Sequence, residues 1–232
     1  MDKASQPISL SLRITADGSH TLWSEDWGEP FHSLYGAIQE SQYVFINAGL
    51  AHCSVKFEKI NLLEIGLGTG LNALLAWNFA ISNCKKIDYT GIEPFPLPKD
   101  LISQLNYPQI LTSTGSSETL QYIHEALYSG KKKEISNFFV IQVIREDFRQ
   151  VNYNPEAYHC IFFDAFDPTK VPELWTADAF RQLWGALSYG GVLVTYSAKG
   201  QIKRNLQEAG FKVEKLPGPP GKREIIRALK VS

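Results

Sequence analysis

Ile60-Asn-Leu-Leu-Glu64-Ile-Gly66-Leu-Gly68-Thr-Gly70-Leu-Asn72 decides how the rest of the chain is read. The apolar run from Ile60 to Ile65 reads as a buried parallel strand. Three alternate glycines close it, and a helical pattern then runs from Leu71 to Ile81. So sharp a turn needs residues that tolerate φ > 0, and glycine, lacking a Cβ, also lets a ligand lie against the backbone. The start of the helix adds free N–H groups and the positive end of a dipole. Strand, glycine turn and helix therefore predict a nucleotide or nucleoside cradle. The competing reading is a turn that only packs a helix on a strand.

Spacing separates the ligands. The dinucleotide fingerprint is G-x-G-x-x-G, whereas this turn is G-x-G-x-G with Glu64 two residues before its first glycine. An acid beside the turn disfavours a pyrophosphate and suits a ligand carrying positive charge. S-adenosylmethionine (AdoMet) has a sulfonium and an ammonium, and the pattern resembles motif I of the class I AdoMet-dependent methyltransferases.

Upstream of this unit, Ile8, Leu10, Leu12 and Ile14 alternate with polar residues and predict a half-buried strand. Asp17-Gly18 signals a hairpin turn, with His20 to Trp23 returning as an appendage at the mouth of the main sheet. Residues 31–49 predict a turn and then a helix, with Gly49 near its end. Downstream, Ile87 to Glu93 is a second strand, closed by Pro94, Pro96 and Pro98, and residues 100–135 read as helical and peripheral. Phe138 to Ile144, Cys160 to Asp164 and Val192 to Ser197 are further strands, and Leu174 to Leu187 and Lys199 to Ala209 are helices, the last closed by Gly210. Phe211 to Leu216 and Glu224 to Val231 lack an intervening helix and so predict an antiparallel pair. The expected fold is α/β: a doubly wound, Rossmann-like sheet of the class I methyltransferase type with an antiparallel final strand and a small N-terminal β-hairpin extension. Residues 1–50 are expected to form a hairpin-and-helix extension and residues 51–232 the AdoMet-dependent methyltransferase domain.

Ligands of open α/β sheets bind beyond the carboxyl ends of the strands. Glu64, Glu93, Asp147 and Asp164 all fall at such ends. Glu64 is the candidate for the methionine end of AdoMet, Glu93 for its ribose hydroxyls and Asp147 for the adenine amine, with Gly66, Gly68 and Gly70 as the cradle. Asp164 is the candidate for chemistry, since a carboxylate there could orient an amine acceptor and take its proton. Phe166, Pro168 and Trp175 could wall the acceptor pocket; ordinary core packing is the alternative for the two aromatics.

Composition narrows the class. The 232 residues suffice for one large domain, and 44% apolar content is that of a globular chain. No apolar run approaches the roughly 20 residues of a membrane span, and the start of the chain carries no signal-peptide pattern. Three scattered cysteines, Cys53, Cys84 and Cys160, point to a reducing, cytoplasmic setting and argue against a zinc site. The five histidines show no metal-ligand spacing, so no metal is expected. Residues 199–232 hold nine Lys/Arg against three Glu, whereas the rest holds 14 against 21 Asp/Glu. A basic end can mark an anionic partner such as RNA, or a solvated helix face and an edge strand with protective lysines.

Asp164-Ala-Phe-Asp-Pro-Thr-Lys170-Val-Pro172-Glu-Leu-Trp175-Thr resembles the signature of the MnmC-type tRNA methyltransferase domain, D-[GA]-F-x-P-x-K-x-P-[DE]-[ML]-W-T. Similar stretches are Glu40-Ser-Gln-Tyr43-Val44-Phe45, Glu64 to Asn72, Glu93 to Leu97, Leu206 to Phe211 and Gly221-Lys222-Arg223-Glu224, together spanning most of residues 31–228. Gln42 stands where the family commonly has arginine, and Asp167 where a small residue is expected. The resemblance implies methylation of the 5-aminomethyl group of 2-thiouridine at the tRNA wobble position, giving 5-methylaminomethyl-2-thiouridine. It implies Asp164 in the catalytic role, Asn72 among the cofactor residues, and Phe166, Lys170, Trp175, Lys199, Lys222 and Arg223 toward the substrate. It also implies a stand-alone form without FAD, working beside a separate FAD-dependent enzyme that acts upstream on tRNA. Two other readings are carried: a polyamine aminopropyltransferase using Asp164 and Asp167 as an Asp-x-x-Asp pair, and an inactive AdoMet-fold protein that only binds RNA.

Overall fold

The computed structural model describes residues 9–231. Two sheets are present among the described residues. β1 (Leu10–Ile14), β2 (His20–Ser24) and β3 (Glu29–Pro30) form a small antiparallel sheet. The hairpin at Asp17-Gly18 is as expected, and the two-residue β3 is an addition that its brevity hid. Leu10 and Leu12 are partly buried but Ile14 is exposed, and Ile8 lies outside the described residues.

The main sheet has eight strands. β4 (Lys59–Ile65), β5 (Lys86–Ile92), β7 (Phe139–Ile144), β8 (Tyr158–Phe163) and β9 (Leu187–Thr195) are its parallel heart. β10 (Lys212–Pro217) and β11 (Glu224–Leu229) close one edge antiparallel, and β6 (Lys133–Ser136) closes the other. The spatial order is β10-β11-β9-β8-β4-β5-β7-β6. The chain proceeds outward from β4 through β5 to β7, then returns to β8 and β9 on the other side, so the switch point lies between β4 and β8. Strand β6 corrects the expectation of helix through residue 135. Its Lys133 pairs with Glu125 and lies 3.8 Å from the centre of the Tyr122 ring, so this member of the lysine run is anchored.

Helices cover both faces. α3 (Leu71–Ser82) and α6 (Ser116–Ser129) pack on one face, and α7 (Ala177–Ala186) and α8 (Gly200–Glu208) on the other. Short helices α4 (Lys99–Ile102) and α5 (Tyr107–Leu111) fill the run after β5, and a 3₁₀ turn (Pro172–Trp175) precedes α7. The helix expected to end near Gly49 instead continues: α1 (Ala37–Ser41), a π-helical stretch (Gln42–Ala51) and α2 (His52–Ser54) follow one another with helical junctions. It therefore runs across residue 50 without a break, and Val44, Phe45, Ile46 and Leu50 join the core of the main sheet. Gly49 serves close approach. A Cβ there would lie 2.7 Å from a Val194 methyl and 3.2 Å from Phe162, so only glycine lets this helix lie so near the sheet.

Candidate active site

Strand register sets the site. Ile65 pairs with Ile92 of β5 and Phe163 of β8, and Ile92 pairs with Ile144 of β7. The residues after these ends keep step: the Gly66 amide donates to the Ile92 carbonyl at 3.0 Å, Asp164 N to Ile65 O at 2.9 Å, and Glu93 N to Ile144 O at 3.0 Å. Gly66, Glu93 and Asp164 thus stand side by side at the carboxyl edge. Asp147 lies farther along the loop after β7. Its oxygens accept from the Arg149 side chain and backbone amide, and the guanidinium holds its carboxyl below the usual range. It is therefore closed on its own loop.

The glycine turn is left-handed at Gly66, Gly68 and Gly70, with φ of 87°, 51° and 76°, and Gly70 leads directly into α3. A Cβ on Gly66 would lie 2.6 Å from the Asp164 carbonyl oxygen, so the turn fits against β8 only without a side chain. Glu93, 9% exposed, accepts from Gly68 N and Phe95 N, both at 2.9 Å. Burial raises its carboxyl above the usual range against these two bonds. On the far side of the turn, His124 Nε2 lies 3.0 Å from the Thr69 carbonyl oxygen, and the Tyr107 hydroxyl donates to Thr69 Oγ1 at 3.1 Å.

Glu64 shares a strand face with Ile60 and Leu62, toward α3 and not toward the open edge. It is fully buried. Oε1 accepts from Asn72 Nδ2 at 2.9 Å and Oε2 from the Tyr89 hydroxyl at 2.6 Å. Burial pushes this carboxyl well above its ordinary value, opposed by the two hydrogen bonds. Asn72 Nδ2 also donates to Asp164 Oδ2 at 2.8 Å. One amide thus links two acids, while Asn72 Oδ1 is buried without a partner among the described residues. Asp164 is partly exposed. Its carboxyl is pushed up to about 8, first by burial and then by the charge of Glu40, against the Asn72 bond and the Lys222 ammonium.

Phe166 stands at the edge of the site. Trp27 stacks on it at 5.7 Å between centroids and Phe31 meets it edge-on at 5.1 Å. Phe31 also lies 3.2 Å from where a Gly68 Cβ would be, and Glu29 accepts from Asp167 N at 3.2 Å. The small N-terminal sheet is thereby fixed over the glycine turn and the loop after β8. Trp175 corrects an expectation: it is 1% exposed, packs edge-on against Phe163 and Tyr196, and donates from Nε1 to the Phe166 carbonyl at 2.9 Å. It braces the loop from within and does not wall a pocket.

The expected basic residues divide. Lys199, Lys222 and Arg223 line one open hollow of about 360 Å³ with Asp167 and Tyr196. Lys199 Nζ bonds both Asp167 oxygens at 2.8 and 2.9 Å, and Lys222 Nζ lies 3.0 Å from Glu40 Oε1. Lys170 is exposed and lies outside the lining of that hollow. Glu40, Tyr89, Tyr196, Trp27 and Phe31 carry no role in the sequence reading. Glu40 and Tyr89 act across the fold, and only their place in matching or strand-like stretches hinted at them. Among the described residues, no group of three or more His, Cys, Asp or Glu could hold a metal ion.

Known proteins share this fold. The bifunctional protein MnmC of tRNA 5-methylaminomethyl-2-thiouridine biosynthesis from Aromatoleum aromaticum is 28% identical over 93% of this chain and 34% of its own length. Its counterpart from Pseudomonas fluorescens is 28% identical over 96% of this chain and 35% of its own. The chain thus spans about a third of the length of these curated relatives. The crystal structure of MNMC2 from Aquifex aeolicus superimposes with a TM-score of 0.76 at 27% identity, covering 98% of this chain and 72% of that one. Spermidine synthase from Thermotoga maritima shares the fold at a TM-score of 0.58 and 13% identity, over 98% of this chain and 71% of its own. Residues 116–231 match the family profile described as S-adenosyl-L-methionine-dependent methyltransferase, and the chain belongs to that family.

Proposed function

We propose that this protein N-methylates the primary amine of a 5-aminomethyl group on (2-thio)uridine at the tRNA wobble position, giving 5-methylaminomethyl-2-thiouridine. The observation that carries the reading is Asp164: a carboxyl at the switch-point edge, held by Asn72 Nδ2 at 2.8 Å, with its affinity for protons raised toward that of an alkylamine. AdoMet, when bound, supplies an electrophilic methyl group. The residues suit it. Glu93 keeps free lone pairs for ribose hydroxyls, and the buried Asn72 Oδ1 awaits a donor. Glu64 serves as the support of Asn72, and Asp147 is left out of this assignment.

An alkylamine is mostly protonated near neutral pH, and a methyl acceptor needs its lone pair. The ionised form of Asp164 takes that proton and orients the nitrogen, so turnover should rise with pH toward about 8. Lys199 and Arg223 at the hollow suit the phosphates of an RNA. The relatives named for 5-methylaminomethyl-2-thiouridine biosynthesis supply the substrate class. On the same reading the protein works in the cytoplasm, after a separate FAD-dependent enzyme.

The polyamine reading is weakened at Asp167, whose oxygens are held by Lys199 and Thr169 and so do not form a free pair with Asp164. The test uses purified protein, labelled AdoMet, and tRNA from a strain lacking the modification, read by nucleoside mass spectrometry. Methylaminomethyl product is expected, and Asp164→Asn should lower turnover roughly 10²–10⁴-fold while changing AdoMet affinity little. Spermidine made from putrescine and decarboxylated AdoMet, or tRNA bound without methylation, would overturn the proposal.

A further inference from the structure

Glu40 is a buried acid on α1, remote in sequence from every strand end. One of its oxygens accepts from Ser33 N at 2.8 Å, which fixes the side chain. The other faces the Lys222 ammonium at 3.0 Å. That ammonium also lies 4.5 Å from the centre of the Tyr196 ring. Tyr196 is itself immobilised, with its hydroxyl donating to the carbonyl of Ala165, next to Asp164, at 2.9 Å and Trp175 against its edge. A carboxylate and an aromatic face are what an alkylammonium binds best. The pair occurs here beside Asp164, and a primary alkylammonium already sits in it.

We propose that Glu40 and the face of Tyr196 form the seat for the ammonium group of the acceptor, and that Lys222 holds this seat until the acceptor displaces it. The proposal rests on the amine-methylating reading above and deepens it. Lysine and a 5-aminomethyl group both end in CH₂–NH₃⁺, so one can stand in for the other. Lys222 arrives from the turn between β10 and β11, and its side chain lines the open hollow, so it has room to leave. Glu40 binds the ammonium form, and the ionised form of Asp164, next to the seat, receives the proton. A uridine without the amine gains nothing from the seat, which makes Glu40 a specificity-determining residue.

The test separates the seat from the identity of the acceptor. n-Butylammonium chloride is titrated into the protein and followed by NMR shifts of the tyrosine rings. Lys222→Met empties the seat and should bind the probe about tenfold more tightly than the unaltered protein. Adding Glu40→Gln, which keeps an acceptor for Ser33 N, should reverse that gain, as should Tyr196→Leu in the same background. Equal binding by Lys222→Met and the unaltered protein, or no loss on adding Glu40→Gln, overturns the seat. With aminomethylated tRNA, Glu40→Gln alone should lower kcat/KM at least about tenfold with AdoMet affinity unchanged; an unchanged kcat/KM also overturns it. If the unaltered protein fails to methylate tRNA while the butylammonium series behaves as expected, the seat stands and the acceptor assignment falls.

Discussion

At the scale of single residues, the site is governed by how two acids share one amide. Asn72 donates to both Glu64 and Asp164, and Tyr89 holds Glu64 from the other side. The Asp164 carboxyl, raised from 3.8 to about 8, keeps its proton in the folded state through a range where the unfolded chain has lost it. Its contribution to stability is therefore fully present below about pH 4 and is lost as pH rises toward 8. Asp164→Asn removes that slope. Its melting temperature relative to the unaltered protein should climb by roughly 2–8 °C between pH 5 and pH 8.5, allowing for solvent at a partly exposed carboxyl. Parallel melts at the two pH values check this, and a constant difference would refute it. The acids at the strand ends were legible because position alone places them. Their partners were not: Tyr89 reaches Glu64 from the neighbouring strand, and Arg149 turns Asp147 back on its own loop. Neither pairing has a signature in spacing. Trp175 read equally as pocket wall or core, and only packing decided it.

Among the elements, the helix running through residues 37–54 departs most from expectation. A glycine near the end of a periodic stretch usually marks a stop, but Gly49 marks the place where the helix meets β8 and β9. A glycine that caps and a glycine that admits a neighbour look alike in a single sequence. The difference has a measurable consequence. Gly49→Val drives methyl groups into Val194 and Phe162 and should cost about 1–3 kcal/mol, seen as a lower denaturation midpoint with an unchanged slope in urea. A left-handed cap would lose about 1–2 kcal/mol through backbone strain instead, and only the packing loss should be relieved by adding Val194→Ala. The strands of the parallel heart were readable from apolar runs alone, because burial on both faces leaves no polar alternation. Short edge pieces such as β3 and β6 carry too few residues for any period to show, and both were missed.

For the molecule as a whole, titration and charge are distributed unevenly. His32 and His124 are buried, neutral and depressed to about 4 from 6.5, mainly by burial, and both lie against Thr69 of the glycine turn. Their contribution is present above pH 6.5 and is lost as pH falls through 4, opposite in slope to Asp164. The melting temperature should therefore peak near about pH 6, and His124→Gln should flatten the acid limb without touching the alkaline one; a scan from pH 4 to 9 reads both. The basic end is less free than its composition implied. Lys199, Lys215, Lys222, Arg227 and Lys230 are each paired with an acid, leaving Lys203, Arg204, Lys212 and Arg223 without one among the described residues. The contact between Gly66 and the Asp164 carbonyl also matters for redesign. A library that diversifies residues 164–168 to change the acceptor meets a fixed wall in the backbone of another strand. Successful variants will be those that reshape side chains and leave that backbone in place, and position 66 should be kept out of the randomised set.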